Sequence, residues 1–202
     1  MTSGFTNCLA ASLALALLLG CPNGHKDAVA SLAPRVFEAQ VGGVRLNSKL
    51  IEQGRTKTEM VSVEVPALIF SEPLDFPDVR QVKGNHRPEV AFVLDYRRTN
   101  LEGTAEELLA YWTPADQARV RALVDDEELF RKNREQLQKH PGVTLVGLVQ
   151  IGETTVVLVK HSPLTVWGMS LRPIQGKWYL VNKPKDDLTL AIVEASFSRE
   201  TE

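Results

Sequence analysis

Two apolar segments that flank a Gly-Glu pair determine the centre of the fold. The sequences VTLVGLVQI and TTVVLVKH lie on either side of Gly152, and a glycine first in a two-residue loop favours a type II′ β-hairpin. This hairpin would pair Val149 with Val156 and Leu145 with Lys160. Because both faces of the strands are apolar at mid-strand, we expect central strands that are covered on both sides, or on one side plus a partner.

A second hairpin follows, with its turn at Gln175-Gly176 between TVWGMSLRPI and KWYLVN. Pairing about that turn separates the side chains onto two faces. The mixed face carries Ser170, Arg172, Tyr179 and Lys183. The core-like face carries Trp167, Met169, Leu171, Trp178 and Leu180. Residues 186–198 are ambiguous, and a short capped helix is the preferred interpretation.

The part of the chain before residue 86 is β-rich. Valines alternate with polar residues over 61–65, which predicts a half-buried strand. Apolar residues also alternate on both sides of Gly42-Gly43, which predicts a hairpin. Residues 72–88 are rich in proline and charge, and we expect them to form a loop.

Signals for helix starts recur between these two β-rich parts. Pro88 suits the first position of a helix, and Thr104 with Glu107 forms a capping-box pattern for the next one. The first helix would end at Gly103. Its apolar stripe consists of Val90, Val93, Leu94 and Leu101.

Two further helices are expected before the first hairpin. Thr113-Pro114-Ala115-Asp116 repeats the start signal for the third helix, and Asp125 with Glu128 opens the fourth. The fourth helix would end at His140-Pro141-Gly142. The apolar residues of the two helices are Val120, Leu123, Leu129 and Leu137.

The start of the chain carries a targeting signal. Residues 9–19 form an uncharged apolar run that is shorter than the roughly twenty residues of a membrane-spanning helix and matches the hydrophobic region of a secretory signal. Leu18-Leu19-Gly20-Cys21 follows directly and resembles the lipobox of bacterial lipoproteins. The resemblance implies cleavage between Gly20 and Cys21 and transfer of a diacylglyceryl group to the Cys21 sulfur. The alternative is an ordinary signal cut after Ala16, which would release a soluble periplasmic protein.

The two cysteines fit export. Cys8 leaves with the signal and Cys21 is acylated, so the mature domain has no thiol exposed to an oxidising compartment. The mature protein therefore has no disulfide, cysteine nucleophile or thiolate metal site. The lipoprotein resemblance also implies a lipid-bilayer anchor of palmitate-type chains on Cys21 in the cell envelope. Pro22, where an Asp would favour the inner membrane, favours the outer membrane facing the periplasm.

A second resemblance covers about half of the chain. Residues 88–183 contain PEVAFVLDYRRTNLEGTAEELLAYWTP, an acidic helix, VVLVKH and KWYLVN in that order. This arrangement resembles the nuclear transport factor 2-like domains, in which a curved sheet wraps a long helix and leaves a pocket. That fold hosts isomerase-like and dehydratase-like enzymes as well as many non-catalytic domains. No position in this chain matches their catalytic pattern.

These patterns predict an α+β fold. A curved antiparallel sheet would pack against N-terminal helices in a cone, with an extra β-rich segment before it. A composition of 44% hydrophobic and 24% charged residues is typical of a globular protein. We divide the chain into a signal peptide (1–20), the lipidated cysteine with a flexible tether (21–34), a β-rich segment (35–85) and an α+β domain (86–202).

The charged clusters have structural explanations. The acidic run over residues 125–128 could be a metal cluster, but carboxylates at a helix start are also stabilised by the helix dipole. The basic residues that follow could bind anionic lipid, but Glu127 with Arg131 and Glu128 with Lys132 are i,i+4 pairs that favour a solvated, self-paired face.

Histidines and aromatic residues offer the remaining candidates for a site. His86, His140 and His161 show no metal-ligand spacing, so no metal or cofactor site is predicted. A pocket could be lined by four residues, for which core packing or a position at a rim is the alternative. These are Tyr96, Tyr111, Trp112 and His161.

Three functional hypotheses remain open. In the first, the domain is a non-catalytic binding or assembly module that binds an apolar small molecule or a protein partner. In the second, it is a small pocket enzyme of the isomerase or dehydratase kind, although no catalytic residue is identified. In the third, it forms a homodimer through the sheet. A net charge of −2 argues against nucleic-acid binding.

Overall fold

A computed structural model describes residues 31–40, 59–162, 165–182 and 188–197. Four sequence predictions lie outside these residues: the signal peptide, the cleavage and lipidation site at Gly20 and Cys21, most of the tether, and the hairpin at Gly42-Gly43. Within them, the protein has the predicted α+β fold, with a curved, open sheet and helices.

The sheet has six antiparallel strands, and their order in the sheet is the order in the chain. The first two strands come from the β-rich N-terminal segment and join the four C-terminal strands in one sheet. The strands are β1 (Ala33–Gln40), β2 (Met60–Phe76), β3 (Val143–Ile151), β4 (Thr154–Ser162), β5 (Thr165–Ile174) and β6 (Lys177–Leu180).

Helices cover both faces of the sheet. Four lie between β2 and β3: α1 (Pro88–Glu102), α2 (Ala105–Leu109), α3 (Pro114–Val124) and α4 (Glu127–Lys139). The last helix, α5 (Leu188–Ser196), follows β6. No helix within the described residues is both long and apolar enough to cross a membrane.

Two apolar cores lie on opposite sides of the sheet, as the apolar character of both strand faces predicts. Leu148 and Val157 face α1, whereas Val149 and Val156 face α5. Strands that are buried on both faces in this way read as continuous apolar runs.

The helix-start signals are confirmed. The stripe predicted for α1 is its buried set: Val90, Val93, Leu94 and Leu101. Thr104 and Glu107 form a complete capping box at α2. The predicted helix at the C-terminal end is also present, as α5.

Two details of the later helices differ from prediction. Leu123 is 56% exposed, and Val124 is buried in its place, because one residue along a helix rotates a side chain by about 100°. Helix α4 does not begin at Asp125 as predicted. Its N-cap is Asp126, whose side chain accepts a hydrogen bond from the Leu129 backbone N–H.

The loop prediction for residues 72–88 is wrong in its first part. Strand β2 continues to Phe76, which pairs with Val143, and Leu74 pairs with Leu145. An irregularity between Ile69 and Leu74 accommodates the polar residues and the proline of this segment, as β-bulges commonly do.

The register of the first hairpin is correct near the turn and wrong beyond a bulge. Val149 pairs with Val156 as predicted, but Leu145 pairs with Val159 instead of Lys160. An irregularity between Leu145 and Gly147 shifts the pairing by one residue. Alanine at position 147 would place its Cβ 2.6 Å from the Leu68 carbonyl oxygen, so the close strand approach there requires glycine.

The second hairpin forms about its predicted turn. Leu171 pairs with Leu180, and Arg172 pairs with Tyr179. Leu171 and Leu180 are buried, and Trp167 lies on the same face, opposite Val159, but is 48% exposed near the start of β5. Its ring stacks instead on His161.

Candidate functional site

A cleft of about 660 Å³ opens between α1, α4 and strands β3 to β5. It lies on the side of the sheet that packs against α1, and it has apolar walls with polar and basic residues around them. The lining residues are Val93, Tyr96, Arg97, Asn100, Gln136, Leu137, His140, Gly142, Val143, Val159, Lys160, His161 and Met169.

Helix α1 supplies one wall of the cleft. Val93, Tyr96, Arg97 and Asn100 follow the i, i+3, i+4, i+7 spacing that places residues on one helix face. The adjacent stripe of α1 is buried in the core, so this face is held at a fixed angle to the sheet.

Strands β3, β4 and β5 supply the opposite wall. Val143, Val159 and Met169 pack at the edge of the α1-side core. The pairing of β4 with β5 is irregular between Lys160 and Ser162. Val159, Lys160 and His161 of β4 all border the cleft. Lys160 pairs with Val166 of the α5-side core, so the side chain of Lys160 lies on the other face of the sheet.

Arg97 is the partly buried cation of the cleft. One of its Nη atoms donates to the His140 carbonyl oxygen at 2.6 Å. Its Nε is buried and makes no hydrogen bond within the described part of the chain. Burial lowers the pKa of the guanidinium, which nevertheless stays protonated because an arginine side chain does not lose its proton in proteins.

Two histidines lie at the mouth of the cleft. His161 is exposed at the end of β4, and His140 follows the last residue of α4. The His161 ring is stacked on the Trp167 indole, with ring centroids 4.3 Å apart and planes 7° from parallel. None of the described residues that line the cleft is an aspartate or a glutamate.

Tyr96 lies where the cleft meets a smaller cavity. Burial raises the pKa of the Tyr96 phenol. The smaller cavity, of about 200 Å³, lies among α1, α3 and α4 and shares the side chains of Tyr96, Asn100 and Leu137 with the cleft. These three side chains form the wall between the two spaces.

The four predicted pocket residues separate into three environments. Tyr96 and His161 line the cleft, and Trp112 lines the smaller cavity. Tyr111 lines neither of these two spaces. Its ring packs between Phe92 and Tyr96, and its hydroxyl is hydrogen-bonded to a threonine of α1 at 3.1 Å.

Sequence reasoning missed Arg97 and His140 as residues of the site. For Arg97 a signal was present, since it lies four residues after Val93 on the face of α1 beside the apolar stripe. For His140 no local signal exists, because its position depends on how α4 packs against α1.

The charged residues of α4 pair among themselves, but not entirely as predicted. Lys132 pairs with Glu128 at 2.5 Å, as expected. Arg131 pairs with Glu135 rather than with Glu127, a competing i,i+4 partner on the same helix face. Across the described residues, no group of three or more potential ligands is placed to hold a metal ion.

Comparison of the chain with protein families, with curated proteins and with solved structures found no match.

Proposed function

We propose that this chain is a lipid-anchored lipoprotein of the bacterial cell envelope, and that its α+β domain is a non-catalytic module that binds a small molecule in the cleft. The lipobox-like sequence that ends at Cys21 supports the anchor. The cleft supports the binding role, and it is the observation on which the proposal depends.

The size and lining of the cleft suit a small ligand. Its volume of about 660 Å³ falls within the range of about 300–1,000 Å³ that is usual for ligand pockets. Apolar side chains such as Val93, Val159 and Met169 would supply binding energy, and a few polar groups would orient the ligand.

Binding is favoured over isomerase-like or dehydratase-like catalysis by the character of the lining. Such an enzyme needs a base and a hydrogen-bond donor that converge on one reacting atom. The described lining offers no carboxylate for this role, and the His161 ring is stacked on Trp167 at the mouth.

A dye-binding assay tests the cleft. The neutral apolar dye phenylnaphthylamine should fluoresce on binding to the full chain carrying Cys21→Ala. Val159→Trp, which fills the cleft, should weaken dye binding. Val36→Trp is the matched control, because Val36 is 56% exposed on β1 and does not line the cleft. Equal binding by the two tryptophan variants would refute the proposed binding site.

Metabolic labelling with a palmitate analogue tests the anchor. The wild-type protein should incorporate the label and fractionate with membranes, whereas Cys21→Ala should do neither. Equal labelling of the two proteins would contradict lipidation at Cys21 and leave the cleft without its proposed location at a membrane.

A further inference from the structure

We infer that the cleft recognises a single-chain amphiphile through its oxyanion head, a carboxylate or a phosphate, which binds at Arg97 while the chain lies against the apolar wall. This inference rests on the proposed binding role of the cleft and specifies the chemical class of its ligand.

The first argument is that the positive charge of Arg97 is not balanced within the described residues. The next residue of α1, Arg98, forms an ion pair with Asp95 at 2.7 Å. Arg97 has no such partner, although it is less accessible to water than a surface arginine and burial lowers its pKa. A charge that is partly removed from water is costly unless an opposite charge accompanies it.

The second argument is geometric. Arg97 already donates one Nη to the His140 carbonyl, and this bond fixes the guanidinium plane. The remaining N–H groups on the two Nη atoms can donate to an acceptor in the cleft that Arg97 lines, whereas Nε is buried and makes no hydrogen bond within the described residues. A planar guanidinium donates two parallel hydrogen bonds to a carboxylate or a phosphate better than any other side chain does.

The third argument concerns the rest of the ligand. Val143, Val159 and Met169 continue the apolar core into the cleft beside Arg97. A free inorganic anion would leave these side chains in contact with water, whereas an apolar chain attached to the anion would cover them. The juxtaposition therefore favours an amphiphile over a bare anion.

Displacement of the bound naphthylamine dye tests the inference. The full chain carrying Cys21→Ala is titrated with decanoate, decyl phosphate, decanol and inorganic phosphate, each below any micelle-forming concentration. Decanoate or decyl phosphate should displace the dye at a concentration about tenfold lower than decanol does, which corresponds to one charge-assisted hydrogen bond. The tighter of the two anions identifies the head group.

Charge-removing variants show which cations act. Arg97→Gln should weaken the binding of the anionic amphiphile about tenfold and leave decanol unaffected. Lys160→Gln removes a charge from the other face of the sheet and should change nothing. The comparison of decanoate with decanol on the wild-type cleft remains informative even if Arg97→Gln does not fold. The matched controls are Arg131→Gln and Lys132→Gln, which remove the same charges from ion pairs on α4 and should change nothing.

Three results would overturn the inference. Decanol could bind as tightly as decanoate, in which case the proposed apolar binding role stands and the oxyanion role fails. Inorganic phosphate could displace the dye as well as the amphiphiles do, which would indicate a bare anion site. Arg97→Gln could bind the anionic amphiphile as tightly as the controls do, which would place the head elsewhere.

Discussion

Replacing Gly168 with alanine should destabilise the packing of α5 against the sheet. Gly168 lies on β5, where an added Cβ would meet Val156 Cγ1 at 2.5 Å and Leu190 Cδ1 at 2.9 Å. The Gly168 N–H also donates to the buried Glu194 carboxylate at 2.7 Å, so the strand cannot retreat without lengthening that bond. Overpacking of a dense core costs about 1–3 kcal/mol of unfolding free energy, and two overlapping contacts favour a value of about 2 kcal/mol.

A double-mutant cycle isolates the overlap. Val156→Ala removes the nearest atom and should by itself cost about 2 kcal/mol through lost burial and a small cavity. If the overlap with Val156 causes the cost of Gly168→Ala, the double variant should lose less unfolding free energy than the two single losses added together. The difference should be about 1 kcal/mol or more. Leu101→Ala is the control partner, because Leu101 lies in the core on the other side of the sheet.

Urea unfolding followed by tryptophan fluorescence measures all of these free energies. For a domain of this size, a cost of about 2 kcal/mol should also lower Tm by about 4–8 °C. The effects of Gly168→Ala and Leu101→Ala should add. Additivity of Gly168→Ala with Val156→Ala to within about 0.5 kcal/mol would refute the packing argument.

Three further predictions concern the edges of the fold. Thr104→Ala removes the capping box of α2 and should cost about 1 kcal/mol in urea unfolding, whereas an unchanged midpoint would contradict the role of the cap. Asp116→Ala removes the carboxylate that accepts hydrogen bonds from the Thr113 hydroxyl and from the Asn182 backbone N–H after β6, and should cost about 1 kcal/mol by the same measurement. Hydrogen bonds from Arg80 lower the pKa of Asp78 to about 2. This pair therefore stabilises the fold above the ordinary aspartate pKa of about 3.9, and its contribution is lost as the pH falls towards 2. Asp78→Asn should then lose less stability than wild type between pH 5 and pH 2, and equal losses would refute this assignment.

Most of the fold could be predicted because its signals are local. The capping box at Thr104 and the turn at Gln175-Gly176 each depend on a few adjacent residues, and the structure has both. The errors came from contacts between distant segments. Strand β2 extends to Phe76 because β3 offers it a partner, and the bulge before Gly147 shifts a register that the turn alone could not determine.

The candidate site was less predictable than the fold. Tyr96 and His161 were proposed as pocket residues for their chemistry, and both line the cleft. Arg97 was not predicted as a pocket residue, because an arginine on a helix is usually solvated. Its importance depends on the packing of α4, which places the His140 carbonyl against the guanidinium. Burial of that kind results from tertiary packing and is not visible in helical spacing.

The most direct test of the central claim is to map a bound amphiphile onto the backbone. In two-dimensional ¹H–¹⁵N NMR spectra of the full chain carrying Cys21→Ala, titration with decanoate should shift the amides of Val143, Val159, His161 and Met169. Amides of β1, at the edge of the sheet, and of α5, on its other face, should not move. Shifts that concentrate around the smaller cavity between α3 and α4, or on β1 and α5, would contradict the assignment of the cleft as the binding site.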